Sequence, residues 1–178
     1  MKRIAIDMDD VMADANGRFC EYALERLNID LTERMRLPNF SWEHAFPEHH
    51  KTIRSWVYEP DFFRGMKVKA DAQGVIQRLQ TQYEVFIVSA AVEFPLSMKE
   101  KLEWMQEHFP FINWRFIVFC GHKYMVKADY LIDDHEKNLK AFREGQPLLF
   151  TAPHNLHING YTRVNNWKEV EALLLTKV

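Results

Sequence analysis

The sequence predicts an α/β protein: a parallel β-sheet covered by helices on both faces, with a small helical cap inserted after the first strand. Three observations carry this expectation. Short apolar runs of strand length alternate with segments of helical period, as in a parallel sheet joined by crossover helices. Residues 14–68 interrupt that alternation and contain no convincing strand. Polar residues follow the apolar runs closely, where an open parallel sheet presents its ligand-binding edge.

Taken in order, Ile4-Ala5-Ile6 is a buried-strand run that ends abruptly in Asp7-Met8-Asp9-Asp10. From Asp14 to about Ile29 the pattern is helical, with Cys20, Ala23, Leu24 and Leu27 at i, i+3, i+4 and i+7. Residues 36–50 carry two prolines and no period, and read as a loop. Ile53, Trp56 and Val57 mark a second short helix that Pro60 ends. The cap is therefore expected over 14–68, and the α/β core over 1–13 and 69–178. In the core, a helix over 71–80 turns Val75, Ile76 and Leu79 inward, and the strand Val85–Val88 ends at Ser89. A helix from about Leu96 to His108 places Met98, Leu102, Met105 and Phe109 on one face. Phe116–Phe119 is a third strand, and Tyr130–Ile132 a fourth that ends in Asp133-Asp134. A helix near 136–144 leads to the strand Leu148–Phe150. Arg163-Val164 adds a short strand, and Asn165 or Asn166 caps a last helix with Trp167, Val170, Leu173 and Leu174 inward.

Bulk properties narrow the function classes. A chain of 178 residues fits one domain with a modest insertion. A net charge of -2 gives no basic excess for gripping polymeric nucleic acid. The two cysteines, Cys20 and Cys120, form no CxxC pair and read as buried thiols in a reducing compartment. MKRIAID meets acids by residue 7, too early for the apolar region of a signal peptide, and no run approaches membrane-spanning length. A cytoplasmic protein without a membrane partner is expected; oligomeric state is not legible, and a homodimer stays open.

Because the C-terminal ends of parallel strands lie along one edge, Asp7, Asp9, Ser89, Lys123, Asp133 and Asp134 are expected to converge. Asp7, Asp134 and a backbone carbonyl near Asp9 offer oxygen ligands that suit Mg²⁺. A carboxylate beside such an ion can attack phosphorus, giving Asp7 the role of nucleophile. Asp9, two residues on, can protonate the leaving alcohol and then deprotonate water. Ser89 and Lys123 can hold the phosphoryl oxygens, with backbone N–H groups of the turn at Asp10 adding to the cradle. Any one of these residues alone is better read as a turn, cap or surface residue; their order and strand-end placement give the pattern its weight.

Asp7-Met8-Asp9-Asp10-Val11, Val88-Ser89, Lys123 and Ile132-Asp133-Asp134 resemble the four motifs of the haloacid dehalogenase (HAD) superfamily. The resemblance implies a Rossmann-like core, Mg²⁺, Asp7 as nucleophile, Asp9 as acid/base and Asp134 as the main carboxylate ligand, supported by Asp133. The usual Gly and Thr of the first motif are Asp10 and Val11 here. IDMDDVMAD, FFRGMKV, VFIVSAA, GHKYMVKADYLIDDH and LLFTAPHNLH together resemble the 5'(3')-deoxyribonucleotidases, which implies a deoxyribonucleoside monophosphate substrate. That family holds the base among aromatics, and the one usually found just after the first motif is Ala15 here. Trp56, Phe62 and Phe63 are candidates for the pocket wall. Lys101 is a candidate phosphate contact, although a helix-surface lysine is the commoner case. His154 and His157 read as structural residues or as supports behind the site's own ligands, and the other histidines as surface. Two other readings remain: a HAD phosphatase for a different small phosphomonoester, such as a sugar phosphate, and a receiver-like phosphoacceptor module. Receivers lack the cap and need no acid two residues from the nucleophile.

Overall fold

The computed structural model describes residues 1–37 and 40–175. Among them, six parallel strands form one sheet in the order β3-β2-β1-β4-β5-β6. The strands are β1 Lys2–Ile6, β2 Tyr83–Ser89, β3 Ile117–Phe119, β4 Tyr130–Asp133, β5 Gln146–Phe150 and β6 Thr162–Val164. Each expected apolar run is a strand, with ends shifted by at most two residues. After β1 the chain builds outward through β2 and β3. It then returns to the other side of β1 and builds outward again through β4, β5 and β6. The topological switch point thus lies between β1 and β4, and the acidic clusters end those two strands.

The pleat sends alternate residues to opposite faces. Ile4, Ile6, Ile87, Ile132 and Leu148 enter the larger core, while Ala5, Val88, Leu131 and Leu149 enter the smaller one. The helices are α1 Ala15–Leu27, α2 Trp42–Ala45, α3 His50–Ser55, α4 Ala72–Leu79, α5 Ser97–His108, α6 Glu136–Ala141 and α7 Trp167–Leu174. The larger core takes apolar side chains from α4, α5 and α7, and the smaller takes Leu139 of α6. Asn166 caps α7, its side chain accepting from the Glu169 N–H.

The expected cap is helical, and an isolated antiparallel bridge between Ala13 and Val68 joins its two ends. The loop expected over 36–50 is shorter than that: α2 lies within it, α3 begins at its end, and residues 38–39 fall outside the described region. Ser41 starts α2 by accepting from the His44 N–H.

Three helix faces differ from expectation. α1 buries Ala15, Asn16, Tyr22 and Ala23, while Leu24 is 56% exposed. Tyr22 is covered by the guanidinium groups of Arg18 and Arg26, 4.4 and 3.7 Å from its ring centre, so a polar-tipped ring faces inward where an aliphatic stripe was expected. α5 buries Ser97, Lys101, Trp104 and Met105 and leaves Leu102 exposed, a face rotated by about one residue. The rotation follows from what the helix packs against, since its inner surface borders a polar site. In α7, Leu173 is exposed while Trp167, Val170 and Leu174 are buried. The cysteine thiols are half-buried, not buried, and Cys20 is pushed up to about 11 by partial burial and nearby acids.

Trp167 links the last helix to the loop after β1. Its indole is buried and its Nε1–H donates to the Val11 carbonyl at 2.8 Å. Trp167→Ala is expected to cost about 3–5 kcal/mol of stability. Trp167→Phe keeps most of the volume but leaves the Val11 carbonyl unpaired, and is expected to cost about 1–3 kcal/mol. Urea denaturation of both variants checks the order; equal stability of all three proteins contradicts the packing described.

Candidate active site

Asp7 and Asp9 leave the end of β1, and the backbone N–H of Asp7 still donates to Ile132 of β4 at 2.9 Å. The chain then turns sharply at Asp10, whose φ of 58° lies in the left-handed region that aspartate tolerates. Within this turn the Asp10 N–H donates to Ala13, and Met12 and Ala13 donate back to Met8.

The centre is a buried lysine between two buried acids. Lys123 Nζ lies 2.6 Å from Asp7 Oδ1 and 2.7 Å from Asp133 Oδ2. Asp7 Oδ1 also accepts from the Met8 N–H, so both recorded partners hold one oxygen of that carboxylate. Asp133 is saturated: it accepts from Lys123, from the His135 N–H at 2.8 Å and from the Asn138 amide. Asp134 is buried, and its Oδ1 has no hydrogen-bond partner. Its carbonyl is held by the Asn155 amide at 2.8 Å, and its Oδ2 faces His154 Nε2 at 3.2 Å.

Beside this centre, Lys101 of α5 is buried and donates to both Asp9 Oδ2 and Ser89 Oγ. It is therefore not a surface lysine, and its Nζ lies 4.6 Å above the Phe63 ring. Asp9 Oδ1 is buried without a partner. Asp10 departs from expectation: its N–H is taken by Ala13, its carboxylate accepts from the Asn16 N–H at 2.9 Å, and it lies 4.0 Å from Lys69. The tight turn directs the Asp10 carboxylate to the start of α1.

A cavity of about 840 Å³ opens over Asp9 and Asp10 and runs under the cap. Phe62 and Phe63 line it as expected, joined by Phe19 and Trp42, which the sequence reading did not single out. Trp56 does not line it. That ring is buried against Tyr22, edge to face at 5.7 Å, and belongs to the cap core. His50, His135 and His154 also border the cavity; His135 is exposed, and His154 supports Asp134 through a hydrogen bond from Nε2 to its carbonyl at 3.1 Å. The missed signals were modest: an aromatic on the first turns of α1, and a histidine directly after Asp133-Asp134.

Burial dominates the electrostatics. It pushes Asp7 up to about 6 despite Lys123, with Asp133 and Asp9 adding to the rise. It pushes Asp10 up to about 7 against Lys69 and the Asn16 N–H. Burial, then Asp7 and Asp133, holds Asp134 well above the usual carboxylate range. Burial works against the Lys123 ammonium, but the two acids more than offset it and hold that group above its ordinary value. His154 is pushed down to about 4 by burial, and His135 is lowered for the same reason. One carboxylate oxygen from each of Asp7, Asp133 and Asp134 lies within 4.8 Å of the others. An all-oxygen cluster with an unpartnered buried carboxylate oxygen has the chemistry of a site for a hard dication.

The sign of the pH dependence follows. Carboxylates raised in the folded state make it bind more protons than the unfolded chain, so lowering the pH stabilises the protein as they protonate. The two histidines are depressed, so their contribution is lost as pH falls through about 6.5 toward 4. In chelator, the melting temperature is expected to rise as pH falls from 8.5 to about 6.5 and to flatten below that. A melting temperature that falls steadily from 8.5 to 6.5 contradicts the uncompensated burial of these acids.

Comparison with known proteins agrees with this arrangement. The family described as 5' nucleotidase, deoxy (pyrimidine), cytosolic type C protein matches residues 1–178. A relative from Staphylococcus aureus strain Mu50 is 42% identical over 177 residues, spanning 99% of this chain and 97% of its own. The 5'(3')-deoxyribonucleotidase of Bacillus subtilis strain 168 is 40% identical over 177 residues, spanning 98% and 99%. Among solved structures, a HAD family hydrolase from Deinococcus radiodurans, with bound phosphate and sodium, superposes with a TM-score of 0.66 at 16% identity, covering 98% of this chain and 95% of that one. With this sheet order and these matches along its whole length, the chain belongs to the 5' nucleotidase, deoxy (pyrimidine), cytosolic type C family, and is a nucleotidase hydrolase with the fold of the HAD hydrolases.

Proposed function

We propose that this enzyme removes the 5' or 3' phosphate of deoxyribonucleoside monophosphates through a phosphorylated Asp7. The observation that carries the reading is the pairing of the Asp7–Lys123–Asp133 centre with an aromatic-walled cavity that reaches Asp9 and Asp10 beside it. A phosphate ester is the ligand that joins the two: its phosphoryl end needs cations and amide donors, and a nucleobase stacks on aromatic faces. The names of the B. subtilis and S. aureus relatives point to the same substrates.

The residue roles follow from contacts. With Asp7 Oδ1 held by Lys123 and Met8, Oδ2 is the oxygen free to attack phosphorus. Ser89 and Lys101, joined to each other and to Asp9 by hydrogen bonds, donate to the phosphoryl oxygens. A phosphate bonded to Lys101 competes with Asp9 for that ammonium. Asp9, released, gives a proton to the departing sugar oxygen and then takes one from the water that hydrolyses the aspartyl phosphate. Asp7, Asp134 and the Asp9 backbone carbonyl would hold Mg²⁺, with Asp133 as support; the ion supplies charge neutralisation at the phosphate. Asp133 keeps Lys123 and the Asn138 amide in place without a lone oxygen to spare.

Phosphate release from dUMP, dTMP, dGMP, UMP, 3'-deoxynucleotides and sugar phosphates, with Mg²⁺ and with EDTA, tests the reading. Metal-dependent release that favours deoxynucleotides is expected, and a preference for sugar phosphates would overturn the substrate. Asp7→Asn is expected to lower kcat by about a thousandfold or more and leave the fold intact. Asp9→Asn is expected to lower it by about 10²–10⁴-fold. Near-normal turnover by Asp7→Asn removes the covalent route.

Lys101→Met separates the proposed phosphate contact from packing, because it keeps the length of the side chain. KM for the nucleotide is expected to rise about 10–100-fold, the worth of a hydrogen bond to a charged group. An unchanged KM assigns Lys101 to structure alone.

A further inference from the structure

One carboxylate ties the return arm of the cap to the core. Glu100 lies in the first turn of α5 and accepts three backbone N–H groups. Asp61 donates to its Oε1 at 2.7 Å, and Phe63 and Arg64 donate to its Oε2 at 3.0 and 3.2 Å. Among the described residues it is the only side chain that accepts from these amides. The segment needs such a hold, because Asp61 has a φ of 66°, a left-handed conformation that costs a residue other than glycine free energy.

Other side chains of α5 continue the contact. The Trp104 Nε1–H donates to the Met66 carbonyl at 2.7 Å, and Glu103 pairs with the Arg64 guanidinium at 2.6 Å. That ion pair is partly exposed and contributes little. The Glu100 bonds join a charged acceptor to backbone amides and are the stronger kind.

What this arm carries is the wall of the cavity. Phe62 and Phe63 follow directly on Asp61, and their rings meet edge to face at 5.2 Å. Phe62 also packs on Phe19 of α1 at 4.8 Å. The backbone that sets both rings is therefore held by Glu100. The next residue, Lys101, turns to the reacting end and is held there by Asp9 and Ser89. Two consecutive residues of one helix thus divide the work, Lys101 at the phosphate and Glu100 behind the aromatic wall.

We propose that Glu100 is a positioning residue for substrate selection: through the Asp61, Phe63 and Arg64 amides it sets the Phe62-Phe63 wall on which a nucleobase stacks. The inference rests on the nucleotide reading above and deepens it, since Glu100 does not itself line the cavity. Without this carboxylate the three amides turn to water, the strained turn relaxes and the rings lose their fixed placement. Lys101 keeps its own bonds, so the phosphate end stays as it is.

Phosphate release from dUMP and from 2-deoxyribose 5-phosphate, the same ester without the base, tests this in Glu100→Ala and Glu100→Gln. The unaltered enzyme is expected to favour dUMP. In Glu100→Ala, KM for dUMP is expected to rise about tenfold or more, the worth of one base–aromatic stack. Its kcat, and both constants for 2-deoxyribose 5-phosphate, are expected to change by less than about twofold, because only binding of the base is lost. Glu100→Gln keeps the shape and one accepting oxygen, and its KM for dUMP is expected to fall between those of the unaltered enzyme and Glu100→Ala. Circular dichroism establishes which variants are folded, and Glu100→Gln decides the matter if Glu100→Ala is not. An unchanged preference for dUMP in the folded variants, or a loss shared equally by both substrates, makes Glu100 a structural residue only and overturns the inference. An unaltered enzyme that does not favour dUMP removes the nucleotide reading, and this inference with it.

Discussion

The buried ammonium of Lys123 is the constraint on which the rest of the site depends. Carboxylates taken out of water cost several kcal/mol each unless something offsets their charge. Asp7, Asp133 and Asp134 stand together at the ends of β1 and β4, and Lys123 contacts the first two. One positive charge cannot balance three, and Asp134 is left with histidines that burial keeps from charging. The centre is therefore short of positive charge by design of its geometry, and it presents that deficit to whatever enters from the cavity. A cation and the donors around a phosphate complete the balance together, so each makes the other's binding more favourable.

The sheet makes this concentration of like charge affordable at one place only. β1 is central, and its hydrogen bonds to β2 and β4 fix the strand ends relative to one another. The two cores grip it from opposite faces, which holds the acids at the edge against their mutual repulsion. The outer elements contribute at a distance. Arg163 on the far strand β6 positions Asn155, and Asn155 positions the carbonyl of Asp134.

Much of the fold was legible because buried parallel strands are contiguous apolar runs, and β1 to β5 each contain one; the edge strand β6, Thr162–Val164, does not. Most of the site was legible because acids, Ser89 and Lys123 directly follow those runs. What escaped was inward-facing polarity. Lys101 shares a face with Ser97, Trp104 and Met105, at helical spacing, but a search for apolar stripes passes over a lysine. The aromatic wall was misjudged for a related reason. Phe19, Trp42, Phe62 and Trp56 are all large apolar residues of the cap, and periodicity does not tell which rings face a cavity and which face each other. Asp10 was misplaced because a left-handed turn at a non-glycine residue has no hydrophobic signature.

The bridge between Ala13 and Val68 brings the two ends of the cap side by side on the core. A segment that leaves and re-enters at neighbouring points is topologically a detachable excursion: its length and sequence can change without altering any strand register. Phe19, Trp42, Phe62 and Phe63 on the cavity wall belong to that excursion, while Asp7, Lys123, Asp133 and Asp134 belong to the core. Selection can thus remodel what the enzyme accepts while leaving untouched how it reacts, and lineages sharing this core are free to diverge in diet before they diverge in chemistry.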